Sequence, residues 1–136
     1  MEDLLKEKGY KITPARLAIL NVFAKSKLPL TAEDICKELK KDKNNRGINE
    51  ATVYRTLTSF VEDHILKRVD FRKESAYFEL TDEHHHHITC IKCETVEDFE
   101  SKDVEKALGG VVRNSSRFIS IQDHSLELFG FCKKCS

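Results

Sequence analysis

The chain has 136 residues, enough for one ordinary domain or for two small ones that lean on each other or on a metal. Its 23 basic and 23 acidic side chains cancel, and with 34% charged and 40% hydrophobic residues it reads as globular rather than disordered, and as no large enzyme with a deep cleft. No stretch approaches the roughly 18 consecutive apolar residues of a membrane span, and the opening MEDLLKEKGYK lacks the apolar core of a secretory signal, so the expected location is the cytoplasm. Five cysteines in a reducing compartment point to metal or redox chemistry rather than to a disulfide framework.

The zero balance hides two unlike halves. Residues 1–80 carry 16 basic and 13 acidic side chains, residues 81–136 carry 7 and 10, and four of the five cysteines and five of the six histidines follow residue 83. A basic helical module is therefore expected first and a metal-rich one second, joined at a hinge over Thr81-Asp82-Glu83. Three helix starts share one grammar. Thr13 can cap a helix with Pro14 at its first position and Ile12 stapled to Leu17; Thr31 can cap the next, with Asp34 closing a capping-box-like turn and Leu30 against Ile35; Asn49 can cap a third, with Ile48 against Val53. These helices should end near Lys25, Lys41 and His64. Leu17, Leu20 and Ala24, then Ile35 and Leu39, then Val53, Leu57, Phe60 and Val61 recur at helical spacing and can meet in one core, with Cys36 as a small residue on its inner side.

Leu66 to Phe71 and Ala76 to Leu80 read as two short strands of a hairpin. Three helices followed by a hairpin is the order of a winged helix-turn-helix, whose last helix enters the major groove of DNA. The face of the third helix opposite the core offers Asn49, Thr52, Arg55, Thr56 and Ser59, with Tyr54 at its margin. Arg55 can pair bidentately with guanine or phosphate, and Tyr54 can meet a phosphate or a thymine methyl. Arg16, Lys11, Lys67 and Arg68 are candidate backbone contacts. The same residues also fit the solvated faces of ordinary helices, since exposed Arg and Thr are common; the order of helices and wing favours DNA.

In the second half, Cys90-Ile91-Lys92-Cys93 and Cys132-Lys133-Lys134-Cys135 are two C-x2-C knuckles that can give four thiolates to one tetrahedral zinc. Their 38-residue separation exceeds that of a zinc ribbon and would close the ion around a separate fold. Redox dithiols are the competing reading, but a thioredoxin-type motif needs a βαβ pattern that is not visible here. Ile88-Thr89 beyond the histidine run suggests a strand, in which His85 and His87 share one face and His84 and His86 the other. Four adjacent histidines can then seed two metal sites, with Glu79, Asp98, Glu105 and His124, expected in the last strand, as further donors. Such mixed sites suit Fe(II), Mn(II), Co(II) or Zn(II). A histidine run is also met as a solvated tract with casual metal affinity, but its place between a hinge and a zinc knuckle argues for ligands.

TPAR, TAEDI, ATVYRTL, YFEL, HHHH-x2-C-x2-C and QDHSLELFGFC, in this order over nearly the whole chain, resemble the ferric uptake regulator (Fur) family of bacterial metal-responsive repressors. The resemblance implies an α+β protein: a winged-helix DNA-binding domain over 1–80, a hinge at 81–83, and a small α/β dimerisation and metal-binding domain over 84–136. It also implies a homodimer that binds an AT-rich palindrome in double-stranded DNA when metal-loaded. Carried over, structural zinc falls on Cys90, Cys93, Cys132 and Cys135, the regulatory metal on Glu79, His85, His87 and Asp98, and a second site on His84, His86, Glu105 and His124. Two departures stand out: Pro29 occupies the place of a further histidine ligand, and one residue is missing between YFEL and the histidines. Zinc-sensing members tend to carry cysteine where Glu79 stands, and peroxide sensors use a histidine that Pro29 replaces, so an Fe(II)-responsive repressor is expected, with manganese, peroxide and zinc sensing as alternatives within the family. A metal-dependent hydrolase or redox enzyme, or a zinc adaptor, is the reading of another class; no HExxH or nucleophile motif supports an enzyme.

Overall fold

The structure, a computed structural model, describes residues 1–81 and 84–136. Asp82 and Glu83 of the expected hinge lie outside the described residues. The chain divides into two compact units, the second beginning at His84.

The first unit opens with a short helix α1 (Glu2–Glu7), followed by α2 (Pro14–Lys25), β1 (Leu30–Thr31), α3 (Ala32–Lys40), α4 (Glu50–Glu62), β2 (Leu66–Val69) and β3 (Tyr77–Leu80). The three capping residues act as their sequence suggests. Thr13 accepts from the Arg16 amide, Thr31 and Asp34 form a reciprocal capping box, and Asn49 accepts from the Thr52 amide, each satisfying donors that a helix N-terminus leaves without partners. Leu20, Ile35, Leu39, Val53, Leu57 and Phe60 meet in the core. Ala24 does not join them. It is exposed, and Ile19 and Phe23 fill the inner face of α2, which is one residue out of phase with the expected stripe. Leu5 on α1, which the sequence pattern did not flag, is fully buried in the same core.

The strands form an antiparallel sheet in the order β1-β3-β2, in which Leu66 faces Leu80 and Lys67 faces Glu79. Three core helices and a hairpin make the first unit a winged helix, and with the mixed second unit the protein is α+β.

The second unit contains β4 (His86–Cys90), β5 (Val96–Phe99), α5 (Lys102–Arg113) and β6 (Glu127–Gly130). Its sheet has the order β5-β4-β6; β4 pairs antiparallel with β5 and parallel with β6, and the intervening segment contains α5, as a parallel crossover requires. Ser101 caps α5 by accepting from the Val104 amide. No residue of α5 is fully buried, and the groove beside it is lined by Leu108, Val112, Phe118, Ile119 and Ile121. Ile119 is 95% exposed and Phe118 70%. Among the described residues no helix is long and apolar enough to cross a membrane.

Candidate functional site

Parallel pairing of β4 with β6 sets Cys90 opposite Gly130 and brings the two cysteine knuckles together. The four sulfurs of Cys90, Cys93, Cys132 and Cys135 lie within 4.8 Å of one another, and Cys93 Sγ is 3.7 Å from Cys132 Sγ. A tetrahedral zinc with bonds of about 2.3 Å sets its sulfurs about 3.8 Å apart, so the cluster fits zinc. The backbone of the first knuckle turns sharply: Glu94 adopts φ 65° and its amide donates to the Cys90 carbonyl at 2.9 Å. The Cys93 and Cys132 amides hold the Cys90 thiol down at about 6, whereas Cys135, hydrogen-bonded to Cys132 and beside the other sulfurs, is pushed up to about 12. Thiolates packed this closely repel one another, and a shared cation would take up their charge. Cys36 is separate from this set; it packs against the first unit's core, and burial pushes its thiol up.

The alternation expected of the histidines holds from His84 onward, although only His86 and His87 lie within β4. The His84 and His86 rings are 4.9 Å apart on one side, as are those of His85 and His87 on the other. On the first side, α5 delivers Glu105. Its carboxylate is 3.0 Å from His84 Nε2, 2.8 Å from His86 Nε2 and 3.1 Å from His124 Nε2. Hydrogen bonds from His86, then His84, lower the Glu105 carboxyl to about 2. These four residues present donor atoms within 4.8 Å of one another, a three-imidazole, one-carboxylate set suited to a first-row divalent cation. His124 is not in the last strand as expected: it precedes β6 by three residues, and the irregular segment there lets it turn back to Glu105.

On the other side, His87 is buried, with Asp98 of β5 3.6 Å from its Nε2 and Glu127 of β6 2.9 Å from its Nδ1. His85 is half-buried. Glu127 escaped the sequence analysis; the one available signal was an acidic residue inside the otherwise apolar run Leu126 to Phe131. Within the first unit, Glu79 is buried on β3, its Oε1 3.2 Å from Lys67 Nζ across the hairpin. Lys67 is thus paired with an acid on the neighbouring strand, and the Arg68 guanidinium lies 5.7 Å from the Phe78 ring centroid. Pro29 is buried.

Thr52, Arg55 and Arg16 border one cavity between α2 and α4, while Tyr54, 52% exposed, and Lys11 face outward. The Arg16 guanidinium donates to the Lys11 carbonyl at 2.7 Å and lies 4.9 Å from the Tyr10 ring centroid. Tyr10, also absent from the sequence reading, donates to Asp63 and lies 3.2 Å from the Ser59 carbonyl at the far end of α4. It ties the approach to α2 to the helix that carries Arg55.

A winged helix with an exposed Arg-Tyr face, followed by a mixed sheet that gathers four thiols and a histidine-carboxylate set, defines the class of metal-binding winged-helix regulators. Residues 7–129 match the ferric uptake regulator family, and the chain belongs to it. It is 41% identical over 133 residues to the ferric uptake regulation protein of Bordetella parapertussis, covering 96% of this chain and 93% of the relative. It is 32% identical over 134 residues to the peroxide operon regulator of Bacillus subtilis, covering 98% and 90%. The structure of the Pseudomonas aeruginosa ferric uptake regulator with manganese aligns with a TM-score of 0.83 at 31% identity, covering 98% of each chain.

Proposed function

We propose that the protein is a cytoplasmic, homodimeric, non-enzymatic repressor that binds an AT-rich palindromic operator when loaded with Fe(II). The observation that carries this reading is that β4 turns histidines toward carboxylates on both of its faces, with Glu105 on one and Asp98 on the other. Residues 1–80 read DNA, with Arg55, Tyr54 and Thr52 at base edges and Arg16 and Lys11 on the backbone. Residues 81–83 act as the hinge, and residues 84–136 dimerise and hold metal. The apolar strip along α5 and through Phe118 and Ile119 supplies the surface that a second copy would cover.

Structural zinc sits on the four cysteines, and His84, His86, Glu105 and His124 form the second site. The regulatory cation takes His85, His87 and Asp98 from the second domain and Glu79 from the first. Pro29 offers no donor, so Glu79 is the first domain's contribution. A nitrogen and carboxylate set without thiolate favours Fe(II) or Mn(II) over a dedicated zinc sensor. Because the metal binds better to the arrangement in which Glu79 reaches the histidines, it shifts the population toward the DNA-competent form. With metal at about 100 times its Kd, that shift is worth about 2.7 kcal/mol.

Anaerobic fluorescence anisotropy of the zinc-replete protein on its own promoter region, with Fe(II), Mn(II), Zn(II) or no added metal and scrambled DNA as control, tests the reading. Tight, sequence-dependent binding with Fe(II) is expected, and Glu79→Ala should abolish the metal dependence while leaving zinc content and dimerisation intact. Equal operator affinity with and without metal would sink the switch, and tightest binding with Mn(II) or Zn(II) would reassign the sensed ion.

A further inference from the structure

Asp98, His87 and Glu127 form a row across the second sheet. Asp98 is His87's register partner on β5 and Glu127 its partner on β6, so the central imidazole has a carboxylate on each side. The two sides are not equivalent. Both Glu127 oxygens approach Nδ1, at 2.9 and 3.2 Å, whereas Asp98 stands 3.6 Å from Nε2, beyond hydrogen-bond length. The His87 side chain is 1% exposed and that of Glu127 16%, so the Nδ1 contact is shielded from water. A largely buried carboxylate in the strand Glu127–Gly130 costs free energy unless it accepts a hydrogen bond, and the His87 ring is the donor the register supplies.

We propose that Glu127 is a positioning residue for the regulatory metal: it accepts the Nδ1 proton of His87, fixes the ring, and leaves Nε2 as the nitrogen offered to the cation on the Asp98 side. This role rests on the regulatory-site reading given above. Metal-bound histidines characteristically give their other ring proton to a carboxylate or carbonyl, which sets the tautomer and raises the basicity of the ligating nitrogen. The second site presents the same nitrogen, since His84, His86 and His124 all turn Nε2 toward Glu105. Glu127 sits on the opposite side of the His87 ring from the metal position, and it orients the ligand without being one.

The test is long-range 1H–15N NMR of the histidine rings in the full-length, zinc-replete protein at about pH 8.5, above the ordinary histidine range, first without and then with Co(II) titrated against a chelator. His87 should be the Nδ1–H tautomer in the wild type, and Glu127→Leu should lose that single tautomer. Glu127→Gln, which keeps an acceptor oxygen, should retain it. Co(II) affinity followed at the His87 resonances should fall about 10–100-fold in Glu127→Leu and less in Glu127→Gln, with four-cysteine zinc content unchanged as the check on folding. Any other protonation pattern at His87, or one that Glu127→Leu leaves unaltered, overturns the proposal. Co(II) binding that is equally tight in Glu127→Leu overturns Glu127's role alone, whereas a wild type whose His85 and His87 do not respond to Co(II) overturns the regulatory-site reading and this role with it.

Discussion

The two units of this chain are held by different forces. In the first, Leu5, Ile19, Leu20, Ile35, Val53, Leu57 and Phe60 are sealed from water, and the unit has a side-chain core in the ordinary sense. In the second, the buried positions among the described residues are His86, His87, Thr89 and Cys90, while Val111, Phe118 and Ile119 stay exposed. A unit this short cannot bury enough apolar surface alone, and it compensates with ligands and a surface left for a partner. Apolar burial makes the first unit self-sufficient; donor chemistry makes the second conditional on what it binds.

The strongest way to break this contrast is to remove the zinc. Chelation, or Cys93→Ser, should unfold the second unit, because structural zinc in small domains contributes about 10–16 kcal/mol to the folded form. Amide exchange should show protection lost from β4 and β6 but kept in α2 and α4; equal loss in all four would mean the two units share one stability. The reciprocal change is Leu57→Ala in the sealed core, expected to cost about 2–5 kcal/mol. Thermal unfolding monitored in the first unit should move down while zinc content holds at its wild-type level. A smaller effect is expected at the exposed strip. Ile119→Asp should raise the dimer dissociation constant roughly 10–100-fold, read by sedimentation equilibrium, because a charge placed centrally in an apolar interface must be desolvated; an unchanged constant would move the interface elsewhere.

The smallest effect concerns Tyr10. Burial, and then the hydrogen bond to Asp63, raise its pKa from 10.0 to about 12. The fold therefore favours the protonated phenol, and this contribution is complete below pH 10 and fades as pH climbs toward 12. Tyr10→Phe should destabilise the first unit by about 1 kcal/mol at neutral pH. Chemical denaturation at neutral pH and again near pH 11 should show the wild-type advantage shrinking; a constant gap would show that the hydroxyl is not its source.

What could be read from the sequence follows the same divide. Thr13, Thr31 and Asn49 announce their helices because capping is local chemistry, written within four residues. The C-x2-C knuckles and the alternating histidines were legible for the same reason. Helix α5 was not foreseen: Gly109 and Gly110 lie in its interior, where each weakens helix propensity, and its apolar side meets little of its own chain. Ala24 and Phe23 exchanged roles because helical spacing alone does not say where a stripe begins, and only packing against α3 and α4 fixes its phase. Glu127 stayed hidden because its partner is set by a parallel register between residues 40 positions apart, which no local pattern encodes. Tyr10 reaches Asp63 across an even longer separation.

The pairing of Cys90 with Gly130 also has a consequence for synthesis. A growing chain has made every residue of the helical core before Cys132 exists, so the first unit can fold while the second still lacks both its outer strand and half of its thiolates. Zinc shortage then leaves a folded first unit attached to an unfinished second one, a chain whose two halves have parted company in the time each takes to be completed.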